Sequence, residues 1–155
     1  RVVVDCANGA YSGLAPQAFT RCGADVHAIG DAPDGTNINV GCGATDLALL
    51  QQTVRDGGFD LGIAFDGDGD RMLAVDENGD AVDGDQIIAI LALDLEVDKV
   101  AVTVMTNLGF HALMRDRGIE VLTTSVTTTS RWWAFCRRSH RRRSFELRLS
   151  TVRRR

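Results

Sequence analysis

Hydrophobic and polar positions alternate between two periods along the first 125 residues. "RVVVDC" is a short β-branched run that ends in the turn "ANGA" and predicts a strand. Residues 12–22, "SGLAPQAFTRC", read as a helix stopped by Gly23. "DVHAIG" predicts a second strand, followed by a glycine- and asparagine-rich loop, "DAPDGTNINVGCGA". Thr45 is the expected N-cap of "DLALLQQTVRD", where Leu47, Leu50 and Val54 share one face and Gly57–Gly58 end the helix. Residues 60–65 predict a third strand. Beyond it, "MLAVDENGDAVDG" alternates and turns at Asn78–Gly79, a hairpin signal. "DQIIAILALDL" reads as a mostly apolar, buried helix. The pattern then restarts with a strand, "KVAVTVM", a helix, "NLGFHALMRDRG", capped by Thr106 or Asn107, and a strand, "IEVLTT".

Strands alternating with helices predict an α/β class: three layers, α/β/α, on a mixed, mostly parallel sheet. One α/β domain is expected over residues 1–98. Residues 99–125 hold one β-α-β unit, too little for a core of its own, and read as the start of a truncated second α/β domain.

Composition adds a boundary. Residues 1–125 carry 20 of the 21 acidic side chains and 7 of the 17 basic ones, whereas residues 126–155 carry ten arginines and one glutamate. This Arg-rich tail, with Trp132 and Trp133 interleaved, shows neither helical period nor strand alternation. A disordered segment, a nucleic-acid-binding arm and an out-of-frame or broken gene end are its three readings, the last preferred. No run approaches the ~20 apolar residues that span a bilayer, and a soluble, cytoplasmic protein is expected. The four cysteines are widely spaced, which argues against zinc and disulfide frameworks; Cys6 and Cys22 are read as small core or near-core residues. His27 and His111 have no partner in the sequence pattern and are read as structural.

The chemistry concentrates in "FDLGIAFDGDGDR". Asp66, Asp68 and Asp70 follow a strand expected to be buried, with Gly67 and Gly69 between them and Arg71 behind. Carboxylates held ~4 Å apart repel by about 4 kcal/mol per pair at an effective dielectric near 20, so a cation is expected among them. Hard oxygen donors at the C-terminal end of a sheet strand suit a divalent ion, and a small site that still needs an outside ligand favours Mg²⁺ over Ca²⁺. Arg71 cannot ligate a metal; it can hold a phosphate oxygen or brace an aspartate. Three other readings exist. A solvated acidic turn rarely follows a buried strand with both glycines in place. An EF-hand-like loop would need glycine where Arg71 stands, between helices rather than strands. A DxDx phosphatase nucleophile would need threonine or valine where Asp70 stands.

These residues resemble the metal loop of the α-D-phosphohexomutases. "VVVDCANGA", "GTNIN", "CGATD", "VDGDQI" and "TVMTNLGFH" narrow the resemblance to the bacterial phosphoglucosamine mutase branch, over residues 1 to about 125. The resemblance implies interconversion of glucosamine 6-phosphate and glucosamine 1-phosphate, on the route to UDP-N-acetylglucosamine. It also implies Mg²⁺ on Asp66, Asp68 and Asp70 with a phosphoserine oxygen, Arg71 as a catalytic residue beside the phosphoryl group, and a phosphosugar as partner. That family has four domains, and this sequence matches the second and the start of the third. Its phosphoserine loop, sugar-reading loop and phosphate-binding domain have no counterpart here, so the chain alone is expected to be inactive. The "GTNIN" loop and Asp83-Gly84-Asp85 read equally as turns and caps. A phosphomannomutase or phosphoglucomutase fragment, or a non-catalytic metal-binding module with a basic arm, are the alternatives.

Overall fold

A computed structural model describes residues 1–125 and the backbone of Phe135–Cys136. The chain divides after Gly84 into two compact units. The first holds β1 (Val2–Asp5), α1 (Leu14–Arg21), β2 (Val26–Ile29), α2 (Ala48–Gly57), β3 (Leu61–Phe65), β4 (Met72–Asp76) and β5 (Ala81–Val82). Its sheet has the order β2-β1-β3-β4-β5. The first two neighbouring pairs are parallel and the last two antiparallel.

Alternation along β1 builds the three layers. Val3 is buried on one face with Leu50 and Val54 of α2, Ala64 and Val75. Val4 and Cys6 point to the other face and pack with Ala15 and Phe19 of α1. Each helix therefore covers a different side of the same sheet, as the pattern predicts. Leu50 and Val54 are fully buried, which contributes about 2 kcal/mol each. α2 lies tight on β3 because Gly62 has no side chain: a Cβ there would come within 2.8 Å of Val54 Cγ2. Gly58, left-handed at φ 60°, ends that helix as expected.

The second unit holds α3 (Gly84–Asp94), β6 (Lys99–Thr103), α4 (Leu108–Asp116), β7 (Glu120–Thr124) and β8 (Phe135–Cys136). β6 pairs with β7 in parallel and with β8 antiparallel. Val100 and Val102 of β6 pack with Ala89 and Ala92 of α3 and with Phe110 and Met114 of α4. Asn107 is the cap of α4, its side chain accepting the Phe110 N–H at 2.9 Å.

Several expectations change. Helix α3 was expected in the first domain, up to residue 98, but its buried face joins the core of the second unit. α1 begins at Leu14 rather than residue 12, because Gly13 takes φ 69° and its N–H goes to Asp31 Oδ1. Thr45 does not cap α2: Leu47 is the N-cap, and the Asp46 side chain accepts the Ala48 N–H. Cys22 is exposed, whereas Cys6 and Cys42 are buried; all three are free thiols. β8 lies inside the region that shows no strand pattern, since a two-residue backbone pairing leaves little trace in side-chain periodicity. The remaining expectations for residues 126–155 lie outside the described residues.

Candidate metal centre

Residues 66–71 form the loop of a hairpin, between β3 and β4, whose mouth is the pair Phe65–Met72. Three hydrogen bonds draw the loop closed, two between backbone groups and one to a side chain. The Asp66 N–H donates to Arg71 O at 3.3 Å, the Gly69 N–H to Asp66 O at 3.0 Å, and the Arg71 N–H to Asp66 Oδ1 at 3.0 Å. In this shape one oxygen from each of Asp66, Asp68 and Asp70 lies within 4.8 Å of the other two. Asp66 is only 2% exposed, while Asp68 and Asp70 are exposed. A buried anchor and two open donors suit a hard divalent cation that keeps part of its shell for water or another ligand.

Arg71 supplies the local positive charge. Its Nε donates to Asp66 Oδ2 at 2.6 Å and lies 3.5 Å from Asp70 Oδ1. Burial works to raise the Asp66 pKa, but the Arg71 N–H, its guanidinium and its charge outweigh burial and hold the carboxyl below the usual range. Asp70 goes the other way: desolvation and the neighbouring Asp68 and Asp66 charges push it up against the weaker pull of Arg71. Two aspartates four residues apart thus have opposite proton affinities. Arg71 braces an aspartate here, and its side chain stays 65% exposed.

The two glycines of the loop serve different needs. Only Gly69 is left-handed, at φ 76°, and a Cβ on it would lie 2.8 Å from Tyr11 ring atoms. Gly67 has ordinary φ and is small because its neighbours are close: a Cβ would meet Ile38 Cδ1 at 2.7 Å and Asn39 Nδ2 at 2.8 Å. Ile38 and Asn39 belong to "GTNIN", so that loop lies against the aspartate loop. It is tied to the first turn by Asn39 N–H to Ala7 O, 2.9 Å, and Asn8 Nδ2 to Asn37 O, 3.4 Å. From the same turn, the Ala10 N–H donates to Gly67 O at 2.9 Å.

Other singled-out residues fall elsewhere. Asp85 accepts the Asn107 N–H at 2.8 Å in the second unit, a packing role. His27 stacks on Phe59 with centroids 5.6 Å apart, and His111 meets Phe110 edge-on. Burial pushes the Cys6 thiol up to about 12, which makes it a poor nucleophile. Sequence reasoning missed Tyr11, whose ring walls Gly69, and Asp5, a fully buried acid at the end of β1. The second left a signal: a carboxylate directly after three valines in a buried strand must find donors.

Among known families, residues 1–79 match the model of phosphoglucomutase/phosphomannomutase alpha/beta/alpha domain II, and residues 83–127 match that of domain III. The phosphoglucosamine mutase of Thermobifida fusca is 54% identical over 132 residues, covering 81% of this chain and 29% of its own length. That of Rhodococcus erythropolis is 55% identical over 131 residues, with the same coverage of both chains. The chain therefore spans under a third of the length of these curated relatives. A phosphoglucomutase/phosphomannomutase family protein from Burkholderia thailandensis superposes with a TM-score of 0.70 at 24% identity, over 81% of this chain and 29% of that one.

Proposed function

This chain belongs to the phosphoglucomutase/phosphomannomutase family, and from that premise we propose that residues 66–71 are the metal loop of a phosphoglucosamine mutase. The observation that carries the reading is the convergence of the three aspartate oxygens within 4.8 Å at the end of β3. Identity above 50% with phosphoglucosamine mutases, over most of this chain, supports the branch.

Asp66, Asp68 and Asp70 would hold Mg²⁺. Bound there, Mg²⁺ would withdraw charge from a phosphoryl oxygen and so ease its transfer. Asp66 fixes the geometry, because Arg71 locks both its oxygens and only their remaining lone pairs can turn to an ion. Asp68 and Asp70 complete the donor set from the solvent side. Arg71 has a second task in this reading: its guanidinium, charged at any physiological pH, offers its exposed edge to a phosphate oxygen. The phosphoserine and the groups that read the sugar would come from residues outside this sequence. The reaction, glucosamine 6-phosphate to glucosamine 1-phosphate, is then one to which this chain contributes the metal side. A cytoplasmic location and a phosphosugar partner belong to the same reading.

Calorimetric titration of the chain with Mg²⁺ tests it. Weak binding that disappears in Asp68→Asn is expected, since one of three donors loses its charge and its shell is otherwise water. Binding of the same strength in Asp68→Asn overturns the assignment.

A further inference from the structure

Asp5 is a fully buried carboxylate at the C-terminal end of β1, in register with Ala64, two residues before the metal loop. Both its oxygens accept from backbone N–H groups. Oδ1 takes Ala7 at 2.9 Å and Oδ2 takes Gly43 at 2.7 Å. These bonds reach two separate segments, residues 7–11 and 38–44, and both segments touch the metal loop. The Ala44 N–H donates to Phe65 O at 2.8 Å, immediately before Asp66. The Ala10 N–H donates to Gly67 O, while Ile38 and Asn39 close on Gly67 and Tyr11 closes on Gly69. The space around Asp5 is tailored to it, since a Cβ on Gly30 would come within 2.6 Å of Oδ1. Ala7 and Asn8 are left-handed at φ 55° and 48°, a conformation that non-glycine residues hold only when the surroundings impose it. The Ala7 N–H bond to Asp5 and the Asn39 N–H bond to Ala7 O both hold the first of them.

We propose that Asp5 is a positioning residue that sets the shape of the metal loop through the two segments it clamps together. It touches none of the three candidate ligands. Each of its oxygens has a donor, and each donor lies in a segment that touches the metal loop. The inference rests on the metal reading of Asp66, Asp68 and Asp70, and its test separates the two. Asparagine at position 5 keeps the shape but must present its NH₂ to one of two N–H donors, so one clamp opens.

The test compares the full chain with Asp5→Asn and with Val54→Ala, a core truncation on the α2 face that serves as the stability control. Mn²⁺ alone is the probe, followed by its EPR signal, together with amide exchange at Ala10 and Ala44. Asp5→Asn is expected to weaken Mn²⁺ binding about tenfold, the lower end for groups that orient ligands indirectly. It should also speed exchange at Ala10 and Ala44, whose acceptors are Gly67 and Phe65. Val54→Ala should lower the melting temperature but leave both readouts as in the unchanged chain. Equal Mn²⁺ affinity in Asp5→Asn, or a loss no larger than in Val54→Ala, overturns the proposal. If the unchanged chain fails to bind Mn²⁺, the metal reading falls, and the exchange of Ala10 and Ala44 still decides the positioning role. Should Asp5→Asn not fold, Gly43→Ala opens the same clamp from the other side, with its Cβ 2.5 Å from that of Ala7; unchanged exchange there overturns the proposal.

Discussion

Three glycines surround the candidate centre for three different reasons, and alanine at each should rank them. At Gly9 a Cβ would lie 2.3 Å from the carbonyl oxygen of Gly67, a backbone atom that cannot swing aside. Relief requires parting the first turn from the metal loop and losing the Ala10–Gly67 bond, so overpacking and a lost hydrogen bond together cost about 3 kcal/mol. At Gly69 the left-handed φ of 76° costs an L-residue about 1–2 kcal/mol, and contact with Tyr11 adds about 1 kcal/mol. A stiffer unfolded chain returns about 0.4–1 kcal/mol, leaving a net loss near 2 kcal/mol. At Gly67 the backbone is ordinary and the obstacles are ends of side chains, one of them on Ile38, which is half exposed and free to turn. The same entropic return nearly cancels that displacement, and the net is within about 0.5 kcal/mol of zero.

For a unit of this size about 1 kcal/mol shifts the melting temperature by about 4–8 °C. Gly9→Ala should therefore fall by about 15 °C, Gly69→Ala by about 10 °C, and Gly67→Ala by less than about 4 °C. Thermal melts by circular dichroism give the order, and amide exchange at Val4 and Ala64 ties the loss to the first unit. A Gly67→Ala variant less stable than Gly69→Ala would refute the assignment of conformation to one glycine and space to the other.

Arg71→Gln removes the 2.6 Å bond to Asp66 but leaves the backbone bond to Oδ1. Because the arginine is largely exposed, the melting temperature should drop by only a few degrees, and urea denaturation measures it. Asp66 has a lowered folded pKa, so its stabilisation is complete above the ordinary carboxylate value, near ~4, and is lost as pH falls through the folded value. Asp66→Asn should accordingly flatten the acid limb of a stability–pH profile; an unchanged limb contradicts this. Asp70 is raised, so acidification should weaken metal binding first through Asp70, beginning above pH ~4, and titrations with Mg²⁺ at stepped pH give the onset. Asp68→Asn should abolish binding yet leave the melting temperature of the metal-free chain unchanged or slightly higher, because it removes one like charge from an exposed position.

Most of the first unit is legible in the chain because local rules and packing agree there. Val3 and Val4 dictate two buried faces, and Leu47, Leu50 and Val54 dictate one helix stripe. The aspartate trio is legible for a similar reason: three carboxylates spaced by single glycines after a strand can be gathered by one tight loop. What was not legible depends on distant partners. The space left at Gly67 and Gly69 is set by residues 28 and 58 positions earlier, Asn39 and Tyr11. The ownership of α3 was invisible because its residues are apolar nearly all round, which marks burial without saying against what. Asp5 ends a strand, and only distant backbone, at Gly43, shows that both its oxygens are occupied.

Charge balance explains why the loop has the residues it has. Three carboxylates and one guanidinium leave two negative charges uncompensated within a few ångströms. Arg71 alone cannot neutralise them, and its uneven reach shows in the split between a lowered Asp66 and a raised Asp70. A second arginine would still leave one negative charge uncompensated. On the proposed reading, a single divalent ion would match the full deficit in charge. The loop's shape, meanwhile, is held by backbone bonds to Phe65 and Gly67 that involve none of the three carboxylates, together with the Arg71 N–H bond to Asp66 Oδ1. On the proposed reading, the loop is closed before any ion arrives, so the site would not first have to fold around a metal.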